Sequence, residues 1–174
     1  MKNGFTLLEM LIVLLLLSCV FVITLPSWQN LREQQHFNQE LSKLQLFLRR
    51  VQMRVANSQE IWLLIANRDL VQKRWCLTAQ RKVDNVCDCL NPNSCSQDTT
   101  VLFYYPQFSH QTMLISKFYY PREISRLSGI RDTLETACFI LQLGNQRAVF
   151  SLFNVGSIKL KRHKSFSACE NKEV

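Results

Sequence analysis

Six cysteines and one misplaced carboxylate are the residues of this 174-residue chain whose types and spacing could do chemistry. Cys76, Cys87, Cys89, Cys95, Cys138 and Cys169 form an even set, while the seventh, Cys19, sits inside an N-terminal apolar block. An even set outside such a block points to an oxidising compartment and disulfide bonds. The rival chemistry is a zinc site around Cys87, Cys89 and Cys95. That spacing lacks the paired C-x-x-C form, and no histidine stands nearby to complete it. Sequential pairing is the expectation: Cys76–Cys87, Cys89–Cys95 and Cys138–Cys169, the last tying the C-terminal tail to a strand. The carboxylate is Glu9, placed within an apolar run. A charge there costs a few kcal/mol at mid-bilayer and less near an end. It either reaches back to the interface or meets a cation.

Nothing else in the chain suggests catalysis, a metal or a cofactor. The histidines His36, His110 and His163 are scattered, and no G-x-S-x-G, P-loop or G-x-G-x-x-G is present. The formal net charge of +8 favours an anionic partner such as nucleic acid or a phospholipid surface. From Thr136 to Cys169 there is no Asp or Glu, but Arg147, Lys159, Lys161, Arg162 and Lys164 are present. In a strand over Ser157–Lys161, Lys159 and Lys161 share the outer face, and Arg162 and Lys164 extend the cluster. Such a cluster can grip DNA phosphates. It can equally be a solvated edge that blocks unwanted strand pairing, or a contact for lipid headgroups.

The elements that position these groups fall into four stretches. Residues 1–4 carry Lys2, the one side-chain cation ahead of the apolar run; they are the prepilin leader peptide in the resemblance given below. Residues 5–27 are apolar apart from Thr6, Glu9, Ser18, Thr24 and Ser27, long enough to span a hydrocarbon core, with Pro26 near the end. Lys2 tends to hold the N-terminus in the cytoplasm. Residues 28–56 keep helical periodicity, with Phe37, Leu41, Leu44, Leu48, Val51 and Val55 on one stripe and Asn57-Ser58 as a stop. A continuous helix from Phe5 to Ala56 would extend about 78 Å. Residues 57–174 carry short β-rich runs at 61–66, 70–77, 100–105, 113–119, 137–143, 147–153 and 157–161. Turns at Gly144-Asn145 and Asn154-Val155-Gly156 join the last three into a meander. Residues 78–99 read as a cysteine-stapled loop. Phe103-Tyr104-Tyr105-Pro106 and Phe118-Tyr119-Tyr120-Pro121 read as two strand ends, each closed by a proline.

An ordinary secretory signal would need a small-residue cleavage site after the apolar run, and Leu25-Pro26-Ser27-Trp28 offers none. Leu16-Leu17-Ser18-Cys19 approximates a lipobox, so a lipoprotein anchored at Cys19 is an alternative. A plain membrane anchor leaves Glu9 unexplained.

Gly4-Phe5-Thr6-Leu7-Leu8-Glu9 behind a very short basic leader resembles the class III signal of type IV pilins and type II secretion pseudopilins. The resemblance implies cleavage between Gly4 and Phe5 by prepilin peptidase and N-methylation of Phe5. It also implies that Glu9 pairs with the N-terminal amine of a neighbouring subunit during assembly, which supplies the missing cation. The implied fold is α+β and pilin-like: a long N-terminal transmembrane helix packed on an antiparallel β-sandwich. Trp75-Cys76-Leu77, the late strand-turn-strand and Gly156-Ser157-Ile158-Lys159-Leu160-Lys161 are similar to GspH/FimT-type minor pilins, the prepilin peptidase-dependent proteins. That group is implicated in DNA uptake, and Ser157 and Lys159 stand where its Gly-Arg-x-Arg pattern carries arginines. The expected location is the bacterial inner membrane, single-pass with a periplasmic C-terminal domain, and then a pilus or pseudopilus. The expected partners are prepilin peptidase, other pilin or pseudopilin subunits, the inner membrane and DNA. Pilus, competence and secretion machinery all remain open, as does a DNA-binding tip receptor for natural transformation.

Overall fold

The computed structural model describes residues 6–96 and 99–162, with residues 23–27 and 94 described by backbone alone. The chain divides into two units, Met1–His36 and Phe37–Val174. One helix, α1 (Leu7–Ala56), contributes to both.

In the first unit, every side chain described from Thr6 to Val22 is exposed, including Leu7, Leu8, Leu14 to Leu17, Phe21 and Val22. Among the described residues, no helix is long and apolar enough to cross a membrane. The described side chains of the apolar run end at Val22, before its last residue, Leu25.

In the second unit, the end of α1 becomes the spine of a core. Phe37, Leu41, Leu44, Leu48, Val51 and Val55 are buried, as the three- and four-residue spacing predicts, and Phe47 joins them. The helix stops at Ala56, where Asn57 and Ser58 cap it. Asn57 Nδ2 donates to the Met53 carbonyl at 2.9 Å and Ser58 Oγ to the Val55 carbonyl at 3.0 Å.

Among the described residues nine strands follow, β1 (Ile61–Asp69), β2 (Arg74–Arg81), β3 (Val101–Tyr104), β4 (Thr112–Ser116), β5 (Ser125–Ser128), β6 (Thr133–Leu134), β7 (Ala137–Leu143), β8 (Gln146–Leu152) and β9 (Ile158–Arg162). They form a five-stranded sheet, β3-β2-β1-β5-β6, and a four-stranded sheet, β4-β7-β8-β9, with every pairing antiparallel. Trp62, Leu64, Trp75, Leu77 and Tyr104 from the first sheet share one core with Leu114, Phe139, Leu141, Phe150 and Leu152 from the second, and with the helix stripe. The chain is therefore an α+β protein whose helix packs on antiparallel sheets. The late meander forms as the turn residues require. Gly144, at φ +54°, begins the two-residue link between Leu143 and Gln146, and Gly156, at φ +75°, lies in the next turn.

Four expectations need correction. The run at 70–77 starts late because the Asp69 carboxylate accepts the N–H groups of Val71 and Gln72 and turns the chain, so β2 begins at Arg74. β2 then continues to Arg81, which shortens the loop to begin at Lys82. The second aromatic-proline segment does not end a strand. β4 stops at Ser116 because the Tyr119 hydroxyl folds back on it, accepting from Ser116 N–H and donating to the Leu114 carbonyl. β5 and β6 were not anticipated. They are short, and they are held by Ser125 Oγ on the Glu135 carbonyl at 2.8 Å, by pairing of β5 with β1 and by pairing of β6 with β5.

Candidate functional site

The N-terminal motif enters the described structure at Thr6. Thr6 Oγ1 accepts the Glu9 N–H at 3.3 Å, and the Thr6 carbonyl accepts from Glu9 and Met10 at 3.1 and 3.3 Å. Thr6-x-x-Glu9 thus has capping-box spacing, with Glu9 in the first turn, where the helix dipole favours an anion. The Thr6-x-x-Glu9 spacing is the sequence signal for that local role. Among the described residues Glu9 is exposed and forms no ion pair. Gly4 and Phe5 lie outside the described residues.

The cysteines pair differently from expectation. Cys76 bonds to Cys89 and Cys87 to Cys95, with Cα separations of 6.1 and 4.9 Å. The reason is the path of the loop after β2. Gln80 is fully buried and clamps the loop, accepting the Cys87 N–H at 2.7 Å and donating to the Asn85 carbonyl at 3.1 Å. Asn67 Nδ2 reaches Asp88 Oδ1 at 2.6 Å. These bonds bring Cys89, rather than Cys87, to Cys76. Cys87, Cys89 and Cys95, the cysteines of the zinc alternative, all stand in disulfides. Cys138 is disulfide-bonded as well, while Cys169, its expected partner, lies outside the described residues. Cys19 is an exposed free thiol within α1.

β9 presents the basic cluster at the edge of the four-stranded sheet. Lys159 and Lys161 are exposed on one face, opposite Ser151 and Val149, and Arg162 is exposed beside them. Lys159 Nζ lies 5.3 Å from the centroid of the Phe153 ring. Lys164 and His163 lie outside the described residues. Arg147, on β8, is half-buried and engaged.

The least expected polar group is Glu40. It is fully buried on the core face of α1, between Phe37 and Leu41. Its Oε1 accepts a hydrogen bond from the Tyr104 hydroxyl, and its Oε2 accepts the N–H groups of Gln107 at 3.0 Å and Phe108 at 3.2 Å. Lys43 Nζ contacts Gln107 Oε1 one turn along the helix. This clasp ties α1 to the end of β3. Burial first, then the hydrogen bond to Glu40 and its charge, push the Tyr104 hydroxyl far above its ordinary range.

A cleft of about 670 Å³ opens where the ends of β4 and β8 meet the β6–β7 link, with Phe118, Leu152 and Phe153 among its walls. Its carboxylates Glu123 and Glu135 both approach Arg126, the latter at 3.9 Å. A backbone hydrogen bond first, and then the Arg126 guanidinium, hold Glu123 below the usual carboxylate range. Two carboxylates on one guanidinium make an ion-pair network of ordinary structural kind.

Residues 1–25 match the family model described as the prokaryotic N-terminal methylation motif. The chain is also similar along nearly its whole length to a Haemophilus influenzae (strain ATCC 51907 / DSM 11121 / KW20 / Rd) protein described as uncharacterized. The two are 46% identical over 169 residues, which cover 97% of this chain and 99% of that protein. No solved structure matches the chain.

Proposed function

Since the chain belongs to one family with the Haemophilus influenzae protein and carries the methylation motif of prepilin-processed, type IV pilin-like proteins, we propose that it is a minor pilin or pseudopilin of GspH/FimT type. It is trimmed between Gly4 and Phe5 by prepilin peptidase and methylated on Phe5. Residues 5–27 span the bacterial inner membrane with the β-rich domain in the periplasm. The chain then joins a type IV pilus-like or type II secretion filament and catalyses nothing. One observation carries this reading: a motif-bearing helix whose described side chains from Leu7 to Val22 are mostly apolar and all exposed, with a single carboxylate among them at Glu9. Such a surface requires lipid or neighbouring helices, and a carboxylate entering either requires a cation. The new N-terminal amine of an adjacent subunit supplies it.

Glu9 also fits a capping box, so the decisive variant is Glu9→Gln, which keeps capping capacity but removes the charge. We expect Glu9→Gln and Glu9→Ala to insert and be trimmed normally, yet to enter the filament several-fold less well than the parent chain. Crosslinking to filament subunits in cells measures this. Normal recruitment of Glu9→Gln would reduce Glu9 to a cap. Intact mass of the mature chain tests the processing step: a methylated chain beginning at Phe5 supports it, and a diacylated chain beginning at Cys19 overturns it.

A second reading, DNA capture at a filament tip, is favoured by the aligned and exposed Lys159 and Lys161 with Arg162 alongside. The full chain in detergent would then bind duplex DNA with an affinity that falls steeply as salt rises. Neutralising Lys159, Lys161, Arg162 and Lys164 together would abolish that binding, and undiminished binding would exclude the assignment.

A further inference from the structure

The four-stranded sheet has two faces, and one of them looks into the shared core. Leu114, Phe139, Leu141, Ala148, Phe150 and Leu152 point there. Alternation therefore sends Ile115, Cys138, Ile140, Val149, Lys159 and Lys161 to the other face. Such a second face is commonly solvated in an antiparallel sheet. Here Ile140 is 1% exposed and Val149 8%, as dry as the core. The described apolar side chains packed against this pair are Ile115 and Cys138, both rooted in the same face. Neighbours rooted in one face close its sides and leave its top open, because a sheet is covered by a layer about 10 Å above it. Some segment must lie across Ile140 and Val149.

A covalent bond identifies that segment. Cys138, two residues before Ile140 on β7, is disulfide-bonded. Cys76 and Cys89 are taken up with each other, as are Cys87 and Cys95, and Cys19 is free. Of the seven cysteines, Cys169 is the one left to pair with Cys138. The topology fixes the route to it. β9 ends at Arg162, level with Ala148 on β8 and Leu141 on β7, whereas Cys138 is level with Ser151 and Lys159. From Arg162 the chain must go back about 10 Å along the strands and about 10 Å across β8, roughly 14 Å in all. Seven residue steps reach about 23 Å, which leaves slack to rise off the sheet. The core face is filled and Cys138 points away from it, so the path runs over the outer face, across Val149.

We propose that residues 163–169 form a strap over the outer face of the four-stranded sheet, pinned by a Cys138–Cys169 disulfide and seating Phe166 on Ile140 and Val149. Phe166 is the midpoint of those seven residues and their one large apolar side chain, so position and chemistry coincide above β8. The strap makes a second, smaller core on the side of the sheet away from the helix. While its pin is intact it withholds this apolar strip from other chains. What the face then offers a partner is the exposed pair Lys159 and Lys161 beside it.

The test uses the full chain in detergent, purified without reductant. A non-reduced digest is expected to hold Cys138 and Cys169 in one linked pair of peptides, and Cys138 found free or joined elsewhere overturns the proposal. Hydroxyl-radical footprinting read by mass spectrometry then measures the cover itself. Cys169→Ser removes the pin and should raise oxidation of Ile140 and Val149 at least three-fold. Phe166→Ser leaves every disulfide in place, removes the ring, and should do the same. Phe139 and Phe150, on the core face, serve as the control and should oxidise as in the parent chain. Retention of Cys76–Cys89 and Cys87–Cys95 shows that a variant has folded. Should Cys169→Ser lose those bonds, Phe166→Ser decides alone. An unchanged oxidation rate at Ile140 and Val149 in either folded variant overturns the strap.

Discussion

Replacing Glu40 with alanine is expected to destabilise the second unit by about 3–5 kcal/mol, the range for breaking a buried charged hydrogen-bond cluster. The carboxylate is fully buried and serves three donors: the Tyr104 hydroxyl and the N–H groups of Gln107 and Phe108. Alanine would leave all three without an acceptor inside the core. Glu40→Gln keeps one acceptor oxygen but turns an NH2 toward the remaining donors, so its loss should be smaller. Tyr104→Phe removes one donor and should be milder still, with strong coupling to Glu40 in a double-mutant cycle. Denaturation of the full chain in detergent, followed by the fluorescence of buried Trp62 and Trp75, measures each change.

The same clasp sets a pH dependence. Tyr104 is raised in the folded state, chiefly by burial and then by Glu40, while an unfolded tyrosine ionises near pH ~10. Its stabilising contribution is therefore complete below about pH 10 and is lost as pH rises toward the folded value. An alkaline absorbance titration should show Tyr104 ionising only with unfolding. Ionisation of all four tyrosines near pH ~10 with the fold intact would contradict the buried clasp.

Gly129→Ala is expected to cost about 3 kcal/mol or more, and Gly129→Val to prevent native packing altogether. Gly129 follows β5 and donates its N–H to the Glu60 carbonyl at 2.9 Å. A Cβ there would be driven into the backbone carbonyl oxygens of Ser58 and Val55 at the end of α1. Both atoms belong to main chain that is itself hydrogen-bonded, so neither can yield cheaply. Ser58 N–H and Oγ both donate to the Val55 carbonyl. The seam between helix end and sheet would open. Thermal unfolding of the variant beside the parent chain decides the matter, and a midpoint within a degree or two of the parent's would refute the close approach.

The helix was legible because its apolar residues repeat at the period of an α-helix and because Asn57 and Ser58 stop it with their own side chains. β7, β8 and β9 were legible because alternation and turn glycines are local signals. β5 and β6 were not, since strands this short are stabilised by their neighbours rather than by their own sequence. The cysteine pairing failed for a related reason. Cys76 meets Cys89 because Gln80, buried in a strand, folds the following loop, and spacing along the chain carries no trace of that clamp.

What the residues determined by themselves is the N-terminal motif. A glycine, the phenylalanine after it and a carboxylate in an apolar run lie within six residues, so the motif they form does not depend on how the rest folds. Tertiary structure alone decided where Glu40 goes, what covers the start of β4 and which backbone Gly129 meets. Each of those outcomes joins groups far apart in sequence, Glu40 with Tyr104, Trp75 with Thr112, Gly129 with Ser58. Hydrogen bonds and close contacts act over a few ångströms of space and are indifferent to distance along the chain.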